Sequence, residues 1–188
     1  MKFQIIFLFL FCFSISFSQY SVTESGPNIG GILYSDINVL EKLNEEDSHK
    51  VMLAAIATTN LKYILEKEGP YTIFAPLDSA FKKLPKETWN SLLLPENRKN
   101  LQSLLSYHII SGKFSASKIL QAMSYGNGIA TFKTVQGDLI TATMDGIDII
   151  LTDSFGNSAR IKTADVAQPN GVLHSIDTVI LPKKNVNF

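Results

Sequence analysis

Three histidines, the serine that follows one of them and a scatter of aspartates are the residues of this chain that could do chemistry. "HSID" at residues 174–177 brings His174, Ser175 and Asp177 close together, the three side-chain types of a nucleophilic triad. The run from Val172 to Leu181 reads as a strand, however, and residues three apart on a strand point to opposite faces. His174 then shares its face with Val172, Ile176 and Ile180, the setting of a hydrogen-bonded core histidine. Asp177 shares the other face with Ser175 and is left to solvent or to a neighbouring strand. A hydrolase would need serine, histidine and acid brought within hydrogen-bond reach, and no local spacing supplies that.

Metal chemistry fares no better. His49, His108 and His174 sit at no diagnostic ligand spacing, and the only cysteine, Cys12, falls in a segment expected to be removed. "DGIDIILTDSFGN" contains Asp145, Asp148 and Asp153 but lacks the alternate-position carboxylates and closing glutamate of a calcium loop, so these acids are expected in turns. A phosphate-cradling glycine loop and a Gly-x-Ser-x-Gly turn are both absent from the sequence. The expectation is a protein that is not an enzyme, with no catalytic residues, no metal and no cofactor.

The elements that must position these residues fall into two halves. Apolar positions recur at helical spacing as Ile37, Leu40, Leu43, then Val51, Met52, Ala55, Ile56, then Leu61, Ile64, Leu65. "YTIFA" at 71–75 is a strand ended by Pro76, and Asp78 stands where a helix from 78 to 84 needs its cap, ahead of Ala80, Phe81 and Leu84. Further helices are expected from Lys86 with Trp89, Leu92 and Leu93 on one face, through Leu101, Leu104 and Leu105 into "YHII", and from Ser115 to Met123. Strands dominate afterwards: 131–135, 139–144, 147–151, 159–166 and 172–181, separated by "QGD", "DG" and "FGN". Met144-Asp145-Gly146-Ile147 is the cleanest hairpin turn. Helices first and short strands second predict an α+β domain on an antiparallel sheet.

Composition fits one such domain: 45% hydrophobic and 18% charged residues over 188 positions can build a single core. Formal charge is zero with no long block of either sign, which excludes a nucleic-acid footprint. Residues 1–18 read as a secretory signal peptide, with Lys2, an apolar run from Phe3 to Phe13 and small residues before Gln19. That run is shorter than the roughly 20 residues of a membrane span. Export therefore to the periplasm, cell surface or medium is expected, followed by a lead segment at 19–35, the domain at 36–182 and a tail at 183–188. Removing the leader also removes the only cysteine, so the core alone must stabilise the fold.

"YTIFAPLDSAF", "LLSYHIISGKFSASKI" and "NGVLHSIDTVILP", in that order, resemble the motifs of the fasciclin domain family over about Asp36 to Pro182. The resemblance implies a β-sandwich or wedge of about seven mainly antiparallel strands with a packed layer of short helices. It also implies a non-enzymatic adhesion or matrix module. Leu77 departs from the family, which more often has threonine there. Tyr107 and His108 match a Tyr-His pair linked in animal relatives to integrin recognition, which makes them the candidate binding residues, although no Arg-Gly-Asp triplet is present. His108 continues the stripe of Leu101, Leu104 and Leu105 and fits the interior. Tyr107, facing the other way if the segment is a strand, is the better contact candidate. The expected partners are surface or matrix proteins or polysaccharides, bound by a monomer; a small-molecule or lipid carrier is the alternative.

Overall fold

The computed structural model describes residues 38–67 and 69–183. The expected signal peptide, the lead segment and the tail after Lys183 lie outside the described residues. Among the described residues three short helices come first: α1 (Val39–Glu45), α2 (Lys50–Ala57) and α3 (Leu61–Lys67). Strand β1 (Tyr71–Pro76) follows, then α4 (Asp78–Phe81), α5 (Lys86–Leu92), a 3₁₀ turn at Pro95–Asn97 and α6 (Arg98–Tyr107). The second half runs β2 (Ile109–Ser111), α7 (Ala116–Tyr125), β3 (Ala130–Lys133), β4 (Leu139–Asp145), β5 (Asp148–Thr152), β6 (Ser158–Gln168) and β7 (Gly171–Ile176).

The seven strands form one sheet in the order β2-β1-β7-β6-β5-β4-β3. Every pairing is antiparallel except β1 with β7, which runs parallel from Tyr71↔Gly171 to Pro76↔Ile176. Both members of that pair are buried at all six positions, as a strand covered on both faces must be. Eleven-residue β6 pairs with β5 through Ser158–Arg160 and with β7 from Ile161 onward, its ladder interrupted by register shifts after Ile161 and Thr163. The curl brings the two edges together: Ile110 bridges Thr134, and the Val135 N–H donates to the Ile109 carbonyl at 2.8 Å. The sheet is thus nearly a barrel, an α+β architecture with the helices packed on it.

Period-two alternation sorts β1 and β7 between two cores. Ile73, Ala75 and Leu173 join Leu43, Met52, Ile56, Leu65 and Leu104 beneath the helices. Phe74 and Ile176 face the other way, into the curl with Ile119, Ile140, Leu151 and Ile180. Gly171 is required where the parallel pair begins, because a Cβ there would fall 2.2 Å from the Tyr71 carbonyl oxygen. At the β4–β5 hairpin Gly146 supplies the positive φ of a two-residue turn between Asp145 and Asp148, as expected.

Two local expectations change. The last strand stops at Ile176 rather than Leu181, because Asp177 turns back to accept from the Arg160 N–H at 2.9 Å and from the Thr178 hydroxyl at 3.0 Å. Asp78 does not cap its own helix, a single turn whose N-cap is Leu77. Its Oδ1 accepts instead from the Val51 N–H at 2.8 Å, at the second position of α2, whose own N-cap His49 makes no side-chain cap. The Asp78 N–H meanwhile donates to the Ser48 carbonyl, so this one residue fastens the start of α2 to the end of β1. Asp78→Ala is expected to cost about 1 to 2 kcal/mol in urea unfolding; a loss under a few tenths would show that water replaces the cap without penalty.

Candidate functional site

Tyr107 is the last residue of α6 and His108 its C-cap, so the pair sits on a helix end and not in a strand. This corrects the expectation that Tyr107 faces outward: its exposure is 0%. The helix phase that buries Leu104 carries Tyr107 inward as well, three residues on. Its hydroxyl donates to the Leu139 carbonyl at 2.8 Å, at the start of β4, and burial pushes the phenol above its usual range, keeping that donor protonated.

His108 is the satisfied interior histidine foreseen from its stripe. Nδ1 donates to the Leu104 carbonyl at 2.9 Å, which leaves Nε2 as acceptor for the Ile180 N–H at 3.2 Å. Burial holds its pKa down at about 4, so the ring is neutral in the fold. Ile180 opens a segment after β7 that is fastened twice more. Leu181 donates its N–H to Asp153 Oδ2 at 2.9 Å, and Lys183 donates its N–H to Asp138 Oδ2 at 3.0 Å. Asp153 also closes the β5–β6 turn by accepting from the N–H groups of Phe155 and Asn157, each at 2.9 Å. One pole of the sheet is therefore a network in which the α6 end, the β3–β4 and β5–β6 turns and the chain after β7 fix one another. The same turns and the start of β4 carry Val135, Phe155 and Leu139 to the outside, Phe155 at 60% exposure.

His174 lies in the core as its strand face predicts. Its Nε2 donates to the Phe114 carbonyl at 2.8 Å, Nδ1 accepts from the Asp165 N–H at 3.2 Å, and the ring stacks on Phe74. Asp145 and Asp148, expected in the turn, flank it and both pair with Arg160.

A triad-like cluster does form, around a histidine that its sequence neighbours did not single out. His49 Nε2 lies 3.0 Å from Ser175 Oγ and 3.3 Å from Glu46 Oε2, while Nδ1 donates to the Pro76 carbonyl at 3.0 Å. With Nδ1 occupied by that carbonyl, Nε2 accepts the serine proton, and Glu46 approaches this same nitrogen rather than the far one a triad needs. Ser175 is 3% exposed and His49 is fully buried, so no substrate reaches the pair. What the cluster does is tie α2 to β1 and β7. Among the described residues no three His, Cys, Asp or Glu side chains group as metal ligands, and no helix is long and apolar enough to cross a membrane.

Fold and site together define a small α+β module whose buried histidines join elements and whose turns at one pole carry exposed apolar side chains. A family model described as "Fasciclin domain" matches residues 47–182. The chain belongs to the fasciclin domain family. It is 35% identical over 172 residues to "Protein sll1483" of Synechocystis sp., covering 90% of this chain and 87% of that one. It is 31% identical over 147 residues to "Transforming growth factor-beta-induced protein ig-h3" of Sus scrofa, covering 78% of this chain but only 20% of that longer protein. A solved structure, a FAS1 domain pair from the insect cell adhesion molecule Fasciclin I, is 28% identical with a TM-score of 0.47, covering 76% of this chain and 45% of that one.

Proposed function

We propose that the protein is an exported, non-enzymatic interaction module that binds cell-surface or matrix molecules as a monomer, and that the pole organised by Tyr107 and His108 is its contact face. The observation that carries this reading is the pairing of a hydrogen-bonded corner around Tyr107 and His108 with exposed apolar side chains on the turns and strand end above it. Val135, Leu139 and Phe155 are held by backbone that converges on the 107–109 corner. Exposed apolar side chains gathered on rigid turns suit recognition, because little conformational freedom is lost on binding. Membership of a family whose domains occur in adhesion and matrix proteins supports the same reading. Export rests on the leader pattern of residues 1–18. Tyr107 and His108 act here as positioning residues, since neither side chain reaches the surface.

The test is capture of the purified mature chain by surface polysaccharide and protein extracts. Leu139→Ser/Phe155→Ser is expected to lower capture at least tenfold. Ile147→Ser, at a hairpin tip that is 94% exposed and away from this pole, is expected to leave it unchanged. Tyr107→Phe removes the hydroxyl's bond to Leu139 and its hydrogen bonding with Ser154, and is expected to weaken capture in a protein that still folds. Equal capture by wild type and the double variant removes the pole from consideration, and equal capture by Tyr107→Phe removes the positioning role.

A further inference from the structure

At the side of the helical layer, α2, α4 and α5 enclose an open cleft of about 430 Å³. Its apolar wall is Val51, Phe81, Leu84 and the half-buried Trp89, whose ring packs tilted against Phe81 with centroids 4.8 Å apart. Two exposed lysines also line it, Lys82 and Lys86, neither with an ion-pair or hydrogen-bond partner among the described residues. The nearby Lys83 differs, since its ammonium donates to the Asp177 carbonyl and the Thr178 hydroxyl. The one carboxylate in the lining, Asp78, accepts from the Val51 N–H, and with two lysines against it the lining keeps an excess of positive charge.

We propose that this cleft binds a small amphipathic carboxylate, a medium-length fatty acid or similar hydrocarbon acid. The chain would lie on Trp89, Phe81 and Leu84, and the carboxylate would face Lys82 and Lys86. An apolar wall with a few convergent polar groups at one end is the general form of a small-ligand site, and this volume is of the size such sites have. The two free ammoniums set the sign of the head group: a neutral ligand would leave them unused and a cationic one would be repelled. The site is separate from the pole of loops and stands or falls independently of it.

Trp89 is the only tryptophan of the chain, so its fluorescence reports this cleft and no other. The full mature chain would be titrated with decanoate below its micelle-forming concentration, alongside 1-decanol and decyltrimethylammonium. A saturable change with decanoate is expected, with decanol weaker and the cation inert. Lys82→Gln/Lys86→Gln, at exposed positions that leave the core intact, is expected to weaken decanoate binding about tenfold. Calorimetry on Trp89→Phe, which keeps an apolar ring, is expected to retain binding and so separates loss of signal from loss of ligand. No saturable change, equal affinity for decanol, an unaltered double variant, or a response to acidic peptides but not to decanoate would each overturn the proposal.

Discussion

Phe81→Ala is expected to lower the unfolding free energy by about 3 to 5 kcal/mol, the range for removing a buried phenylalanine. The side chain is 5% exposed and belongs to the core beneath the helices, where it lies against Trp89. Helix α4 is one turn long, too short to hold itself in place. Its seat is fixed by Phe81, by buried Ala80, and by the Asp78 links to α2, so deleting the ring removes the main apolar anchor of the segment between β1 and α5. For a domain of this size the loss corresponds to roughly 10 °C in Tm, read by thermal melting, with a red shift of Trp89 emission as its ring gains water. Tyr125→Ala, at a largely exposed position, is the matched control and should change stability by no more than about 0.5 kcal/mol. A Phe81→Ala protein melting within a degree or two of wild type would show that the ring is not the anchor described.

Much of the scaffold was legible because it depends on neighbours along the chain. The helical spacing through Leu43, Met52, Ile56 and Leu65 marks residues that are all buried, and the β4–β5 hairpin follows from Asp145-Gly146. The strand face of His174 was legible for the same reason. What failed depended on partners remote in sequence. A cap signature at Asp78 shows a carboxylate beside a helix start, but not that the start it serves belongs to α2, 27 residues earlier. The same limit hid the meeting of His49 with Ser175 across 126 residues. Tyr107 was misplaced by one choice of period: read as strand, the residue before a buried histidine points out, whereas on the end of α6 both turn inward. The parallel pairing of β1 with β7 had a usable sign, since "YTIFAP" and "GVLHSI" lack the polar alternation of a half-exposed strand.

The corner of Tyr107 and His108 also carries a pH dependence, through His108. His108 has a pKa of about 4 in the fold against about 6.5 in an unfolded chain, with burial as the main cause. Between those values the unfolded state holds a proton that the native state refuses, so stability rises with pH across that window. The contribution is fully present above pH 6.5, falls as the pH drops, and levels off below about 4, a span of about 3 kcal/mol for this one side chain. His174 is lowered as well, chiefly by burial, and works in the same direction. Protonating His108 would also strip Nε2 of the lone pair that receives the Ile180 N–H, so the segment held next by Asp153 and Asp138 should loosen first on acidification. Urea midpoints at pH 7 and pH 4.5 are expected to differ strongly in wild type and less in His108→Gln, which does not titrate. Amide exchange at Ile180 and Leu181 should accelerate ahead of the central strands as the pH falls. Identical pH slopes in the two proteins would mean that the ring is not buried and neutral, and the account of this corner would have to be given up.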